Sequence, residues 1–524
     1  PPLPTIRIRI CGGASHPAPS TVNGRRGAVM LAPVRLPILP LAVLAWLLLG
    51  LRWFDAAAPL RPPGLAALPA WLLALPVAAG LGLGLARLRR ELAGPLGPAG
   101  RGLLAALLVA AGLRLPLALL GAAGYVTSDG ALSGIVALRA LAGREHFVFV
   151  PAVPYSGSLK SHLTAPLAAV LDPAVAFALA SLGFYLAYVA GVHALGRLVG
   201  DRRTATWAAL YAALAPAFVT QYSLSNDGNY VEVLAFGAWA LACVGAWLRS
   251  ARSAGESGPS RLLLAAGLLL GLGFWCHILA VMLALPAVLL VLAQARRAAL
   301  LPLLALAGGL ALGYWPGLLW NATNGWESFR YLVPGLQPVG AAAASTPWQR
   351  VVGLAGDHAP LLLGYAPAPS AGWERVVVAL SWGAVGLALV ALAGAAWAAW
   401  REPLGPPGLL LATVLATLAI VALALPYLEG NPRYPLFLMV PLPALLGRLA
   451  ARSWGRAALV AAMALGTWGS LSQGQVKLGL DRQWRGLVAG LEQLGVRHCY
   501  SDFYLATKVN FLSGERVVCS AKLG

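Results

Sequence analysis

The sequence predicts an all-α polytopic membrane protein, and three observations carry that expectation. Hydrophobic residues make up 59% of the 524-residue chain and charged residues only 11%, where a soluble domain carries about 25%. Apolar runs of about 20 residues, the length that crosses a bilayer, follow one another along most of the chain. The basic residues behind the formal net charge of +20 sit in short clusters between these runs. Anionic headgroups and the positive-inside rule account for that pattern, and no basic face is left for nucleic acid.

The first stretch, 1–29, has no apolar core and ends just before Met30. It reads as a leader of doubtful origin, with Met30 as the start and the first span as an uncleaved anchor. Spans are expected at roughly 34–53, 65–87, 102–124, 174–198, 205–222, 231–248, 262–275, 278–294, 299–319, 376–399, 408–427, 434–449 and 457–473, about thirteen in all. The run 262–294 is too long for one helix, and it is basic at both ends, at Arg261 and at Arg296 with Arg297. Two helices meeting at "FWCHI" (274–278) keep both ends on the inner side. Arg87, Arg89 and Arg90, Arg197 with Arg202 and Arg203, Arg249 with Arg252, and Arg448 with Arg452 and Arg456 then all fall inside. The outer side receives 125–173, 320–375 and the tail 474–524.

The first outer loop opens with "SDGALSGIVALRALAG". Ser128 and Asp129 offer a helix N-cap, Leu132, Ile135, Val136, Leu138 and Leu141 an apolar stripe, and Gly143 a stop. "FVFVPAVPYSGSLKSHLTAPLAAVL" (147–171) follows as an extended, Pro-broken stretch, then a second short helix from Gly157 or Ser158. Two helices too short to span suit a chain lying along the membrane surface. The tail reads as a helix over 482–495, then strands around "RHCYSDFY" and "GERVVCSA". Cys499 and Cys519 can pair if that tail lies outside the cytoplasm, whereas Cys243 and Cys276 read as small buried hydrophobes in spans. Cys11 falls in the leader.

This threading brings Asp129, Lys160, His162, Asn226, Asp227, His277, Asp357, His358, Glu429 and Arg433 to or near the outer face. Ionisable groups at membrane depth are functional candidates by default, although each taken singly also suits a solvated loop. Glu232 is costly in lipid, by about 2.5–3.5 kcal/mol at a helix centre, and is expected to face a polar cavity. No HExxH, paired cysteines or clustered carboxylates suggest a metal, and no P-loop or Rossmann fingerprint suggests a nucleotide sugar. No cofactor is expected.

The Asp at an outer boundary, the short helix ending in Gly and the stretch around Tyr155, Gly157, Ser158, Leu159, Ala165 and Pro166 resemble the first periplasmic loop of GT-C glycosyltransferases. Within that superfamily the chain resembles the protein-mannosyltransferase-like and lipopolysaccharide-sugar-transferase-like bacterial branch. "GNYVEVLAFG" (228–237), "GLGFWCHI" (271–278), "GYWPGLLWN" (313–321), "RYPLFLMVP" (433–441) and "YSDFYLATKVNFLSGERV" (500–517) extend the likeness to about 100–517. The resemblance implies a GT-C-like bundle over 30–473 with catalytic outer loop 125–173, and an active site facing the periplasm of a bacterial inner membrane. It implies transfer of a sugar from a polyprenyl-phosphate donor to an acceptor hydroxyl, with Asp129 as general base. The lipid phosphate leaves as a stable anion, so one carboxylate suffices where glycosidases need two. Arg433 with Tyr434 is the candidate for the donor phosphate, against a reading as an Arg snorkelling to headgroups. Lys160, His162, Tyr155, Asp227, Glu232 and His277 are further candidates for donor or acceptor contact. Gly130 stands where the branch commonly has a second acid, and Lys160 where it often has an acid. The acceptor is left open between protein, lipid and glycan. The rival readings are a transporter or lipid-linked-sugar flippase, and a non-catalytic scaffold. A transporter should show repeat symmetry, which is not evident here.

Overall fold

A computed structural model describes residues 38–96, 100–225, 227–254, 260–295, 300–330, 346–364, 374–424 and 433–521. The leader 1–29 with Met30, Asn226 and Glu429 lie outside the described residues. Among the described residues, six helices are long and apolar enough to cross a membrane: Arg101–Leu120, Pro173–Val199, Tyr230–Arg252, Ile278–Ala295, Arg375–Arg401 and Pro406–Leu423. The pair Leu300–Gly313 and Trp315–Thr323, bent by 66°, makes a seventh if taken as one span. Shorter apolar helices at Pro40–Trp53, Leu72–Leu88, Ser260–Cys276 and Leu442–Ala451 fall where further spans are expected. Tyr230–Arg252 is the central helix, 89% buried, whereas Arg101–Leu120 is 28% buried and lies at the periphery.

Lipid gives no hydrophobic drive for one helix to seek another, so close packing needs small residues. Ser260–Cys276 and Leu300–Gly313 meet through Gly267 and Gly271 on one side and Gly309 and Gly313 on the other. A Cβ on Gly271 would stand 2.3 Å from the Leu310 carbonyl, and one on Gly313 2.2 Å from that of Leu268. Alanine at either position would force the backbones apart.

Besides the bent pair at 300–323, three expected spans differ in form. The stretch 205–222 is two helices, Arg202–Ala213 and Ala217–Tyr222. Pro216 has no N–H to continue the first, and the freed Ala213 carbonyl accepts from Arg114 Nη1 at 2.7 Å. That fully buried guanidinium also donates to Ser223 and Thr220 and lies 4.0 Å from the Tyr185 ring. The stretch 434–449 is two short pieces, Tyr434–Met439 and Leu442–Ala451, the second tightening from Arg448 onward, and Pro441 and Pro443 lie at the break between them. The last span does not stop at 473. One helix runs Ser453–Gln493 and absorbs the separate helix expected at 482–495.

The loop elements gather around the far end of that helix. Ser128–Leu141 ends before Gly143, whose φ of 66° suits glycine. Phe149–Val150 and Val153–Gly157 form an antiparallel pair, and Leu159–Ala168 follows. In the tail, His498–Ser501 pairs in parallel with Val518–Ala521, and Cys499 and Cys519 are joined in a disulfide. The tail helix Phe503–Leu512 packs on Ser128–Leu141 at Gly134, where a Cβ would meet the Phe511 ring. Glu515 bridges Arg139 and Arg144, Arg485 pairs with Asp172 at 2.9 Å, and Asp481 accepts from the Ala123 amide. At the other end of Pro173–Val199, about 40 Å away by helix rise, Arg249 donates to the Arg197 and Leu198 carbonyls.

Candidate active site

The helix that carries Asp129 begins one residue earlier than the sequence suggests. Thr127, in extended conformation, is the N-cap, and its Oγ1 accepts from the Gly130 amide at 3.0 Å. Ser128 and Asp129 lie inside the first turn. The Asp129 carboxylate is therefore not spent on capping, and it projects into a cleft with 46% of its side chain exposed.

Tyr155, Ser156, Tyr230, His277, Arg433 and Tyr434 line this narrow cleft beside Asp129. Arg433 comes from the residue before Tyr434–Met439. Its Nη1 lies 3.4 Å from Asp129 Oδ2 and 3.3 Å from Asp227 Oδ1. Among the described residues its buried Nε has no hydrogen-bond partner. Burial opposes the charge on this guanidinium, but Tyr230 and Asp227 outweigh it and hold its pKa above the ordinary value. Asp227 is only 7% exposed, and burial pushes it up to about 6. Arg433 pulls that value down and Asp129 adds to the rise.

His277 occupies the break between Ser260–Cys276 and the following span. Its Nδ1 accepts from the Leu279 amide, and its ring stands 5.1 Å from that of Tyr230 and 5.6 Å from that of Tyr155. It thus caps a turn and lines the cleft at once. Its backbone also bridges Ser156. Asn229 fastens the same place, with Nδ2 donating to Ser156 Oγ, the Gly157 carbonyl and the Cys276 carbonyl.

Three candidates do not face the cleft. Lys160 is 1% exposed and its ammonium lies 2.9 Å from Glu232, itself 0% exposed. The polar surrounding expected for Glu232 is therefore Lys160 rather than an open cavity. A solvated or substrate-facing Lys160 does not fit this burial. His162 packs among Trp53, Phe54 and His146, and its Nε2 meets the Phe147 carbonyl at 2.9 Å. Burial lowers its pKa to about 4, so it is neutral at physiological pH.

Sequence reasoning missed Tyr230, Ser156 and Lys477. Tyr230 and Ser156 lie within stretches already singled out, but nothing in one sequence says which side chain turns inward. Lys477 is half-buried in the long helix Ser453–Gln493, with its ammonium 5.5 Å from the Tyr125 ring, at the start of the segment 125–173. Its charge also acts on Asp227. The polar run "SQGQVK" after the last apolar stretch was the available signal. Among the described residues, no cluster of three or more His, Cys, Asp or Glu could hold a metal ion.

No protein-family model and no curated protein sequence matches the chain. Among solved structures, it is similar to ArnT from Cupriavidus metallidurans bound to undecaprenyl phosphate, at 13% identity and a TM-score of 0.53. That match covers 80% of this chain and 86% of ArnT. It is also similar to the Archaeoglobus fulgidus oligosaccharyltransferase in the apo form, at 13% identity and a TM-score of 0.49, covering 81% of this chain. The chain spans 64% of the length of that second protein. The likeness to ArnT extends over most of both chains, and this polytopic chain therefore shares the fold of that protein.

Proposed function

We propose that the protein is an inverting glycosyltransferase that moves a sugar from a polyprenyl-phosphate donor to an acceptor hydroxyl. The observation that carries this reading is the apposition of Asp129 and Arg433 across one cleft. A carboxylate to accept a proton stands beside a guanidinium to receive an anion, and the chemistry needs little more. Arg433 retains a buried Nε donor without a partner, and a phosphate oxygen would satisfy both it and the charge. The ArnT structure of the same fold holds undecaprenyl phosphate.

In the reaction the acceptor oxygen attacks the anomeric carbon as Asp129 takes its proton. The bond from that carbon to the phosphate oxygen breaks, and the lipid phosphate departs with the electron pair beside Arg433. Tyr155, Tyr230, His277 and Tyr434 wall the cleft. Their rings exclude water and offer faces for a sugar. Asp227 holds Arg433 from the buried side.

We place the cleft on the periplasmic side of a bacterial inner membrane, with about thirteen spans across 30–473 and the tail 474–524 outside. The arginine-rich turns that gather at the opposite end of Pro173–Val199 support that orientation.

Proteoliposomes carrying the purified full chain and a radiolabelled polyprenyl-phosphate sugar test the reading, with total membrane lipid and protein as acceptor. Label should move to an acceptor while free polyprenyl phosphate accumulates. A flippase would instead carry the intact donor across the bilayer with no bond cleaved, and that result would reject the proposal.

A further inference from the structure

Lys160 and Glu232 form an ion pair that neither faces the cleft nor reaches solvent. Desolvating two charges is expensive, and an apolar pair of similar size would hold the helices together equally well or better. What an ion pair adds is a fixed separation between two segments, and here the segments it joins are informative. Lys160 Nζ lies 2.9 Å from Glu232 Oε1 and 3.5 Å from the Ser225 carbonyl. It therefore touches a residue on each side of Asp227 in sequence, and Ser181 Oγ holds the same Ser225 carbonyl at 3.0 Å.

Between Asp227 and Glu232 the backbone is constrained. Gly228 and Asn229 are both left-handed, with φ of 62° and 54°. A non-glycine residue in that region persists only when its surroundings hold it. Asn229 is held by the three bonds of its side chain to Ser156, Gly157 and Cys276. Lys160 is held by the same strand-to-helix turn, just beyond Gly157. The two segments thus grip each other reciprocally, and the group they present at the cleft is the Asp227 carboxylate, 3.3 Å from Arg433.

We propose that Lys160 and Glu232 are positioning residues for the donor phosphate. They fix the backbone on both sides of Asp227 so that Asp227 aims the Arg433 guanidinium into the cleft. The proposal rests on the transferase reading above and assigns neither residue a contact with substrate.

The test uses the full chain in lipid nanodiscs with farnesyl phosphate as a short polyprenyl-phosphate probe. Lys160→Met alone strands a buried carboxylate and is a poor probe of position. Lys160→Met combined with Glu232→Leu removes both charges at similar volume and should melt close to the wild type. It should nevertheless bind farnesyl phosphate at least tenfold more weakly and raise the donor KM by a similar factor, while kcat at saturation changes by less than threefold. Lys160→Arg, which keeps the charge, should retain affinity within threefold. Wild-type affinity in the double variant would overturn the proposal. So would losses of stability and of kcat in step with binding, since those mark a purely structural pair. If the wild type binds no farnesyl phosphate, the transferase reading itself falls and takes this proposal with it.

Discussion

Arg433 Nη1 lies 3.4 Å from Asp129 Oδ2, across 304 positions of sequence, and this contact ties the segment 125–173 to the start of a late helical segment. The same nitrogen lies 3.3 Å from Asp227. One cation thus sits between an exposed acid and a buried one. An anion entering the cleft competes for the exposed side while the buried side holds the guanidinium in place.

Arg433→Lys should raise the donor KM at least tenfold and lower kcat less. Lysine keeps the charge but loses the planar fork and the free Nε that suit a phosphate. Steady-state kinetics with varied donor read the split. An unchanged donor KM would assign Arg433 to headgroup contact.

Asp227 makes stability depend on pH in a stated direction. Its folded value is raised to about 6 by burial, whereas an unfolded Asp titrates near ~3.9. The folded state binds more protons between those values. Asp227 therefore costs nothing below the window, costs progressively more as pH rises through it, and costs the full amount above about 6. Two units correspond to on the order of 3 kcal/mol. Melting profiles of wild type and Asp227→Asn in nanodiscs should diverge as pH rises from about 4 to 6.5, with the variant losing less. Parallel profiles would contradict the assignment.

Thr127, rather than Ser128 or Asp129, caps the helix Ser128–Leu141. Thr127→Ala should cost about 1 kcal/mol and Thr127→Ser very little. Asp129→Asn should leave the melting temperature nearly unchanged. A loss on Asp129→Asn equal to that on Thr127→Ala would return Asp129 to a capping role.

The tail core is small, built on Ala506, Val509, Val517 and Cys519, so the Cys499–Cys519 disulfide matters to it. Closing a separation of 20 residues contributes about 3 kcal/mol in the chain-entropy account. Cys519→Ser should speed proteolysis within 495–521 several-fold and leave the membrane bundle resistant. Equal cleavage rates would show that the strands and helix hold the tail without the disulfide.

Local features were legible in the sequence, and long-range pairings were not. The helix Ser128–Leu141, its stop at Gly143, the extended stretch before Gly157 and the tail strands all follow from periodicity and turn residues. The stretches singled out in the sequence bring Asp129, Tyr155, His277, Arg433 and Tyr434 to one cleft, with Asp227 against Arg433, whereas Lys160 and His162, expected on the same face, pack away from it. Lys160 and Glu232, 72 positions apart, each looked available for substrate because single-residue reasoning cannot see a buried partner. Arg114 went unnoticed for a similar reason. Its use depends on a helix break about a hundred residues away, and the Arg itself lies inside an apolar run. The cap was misplaced by one or two residues because Thr127, Ser128 and Asp129 are all good caps, and only backbone geometry chooses among them.

Sugar transfer by Asp129→Asn in the proteoliposome assay separates a catalytic Asp129 from a structural one. General-base catalysis contributes about 10²–10⁴-fold, and asparagine keeps the shape while losing the proton acceptor. With Asp129 as the general base, kcat falls within that range while donor KM and melting temperature stay close to wild type. Undiminished transfer by Asp129→Asn would remove Asp129 from the chemistry.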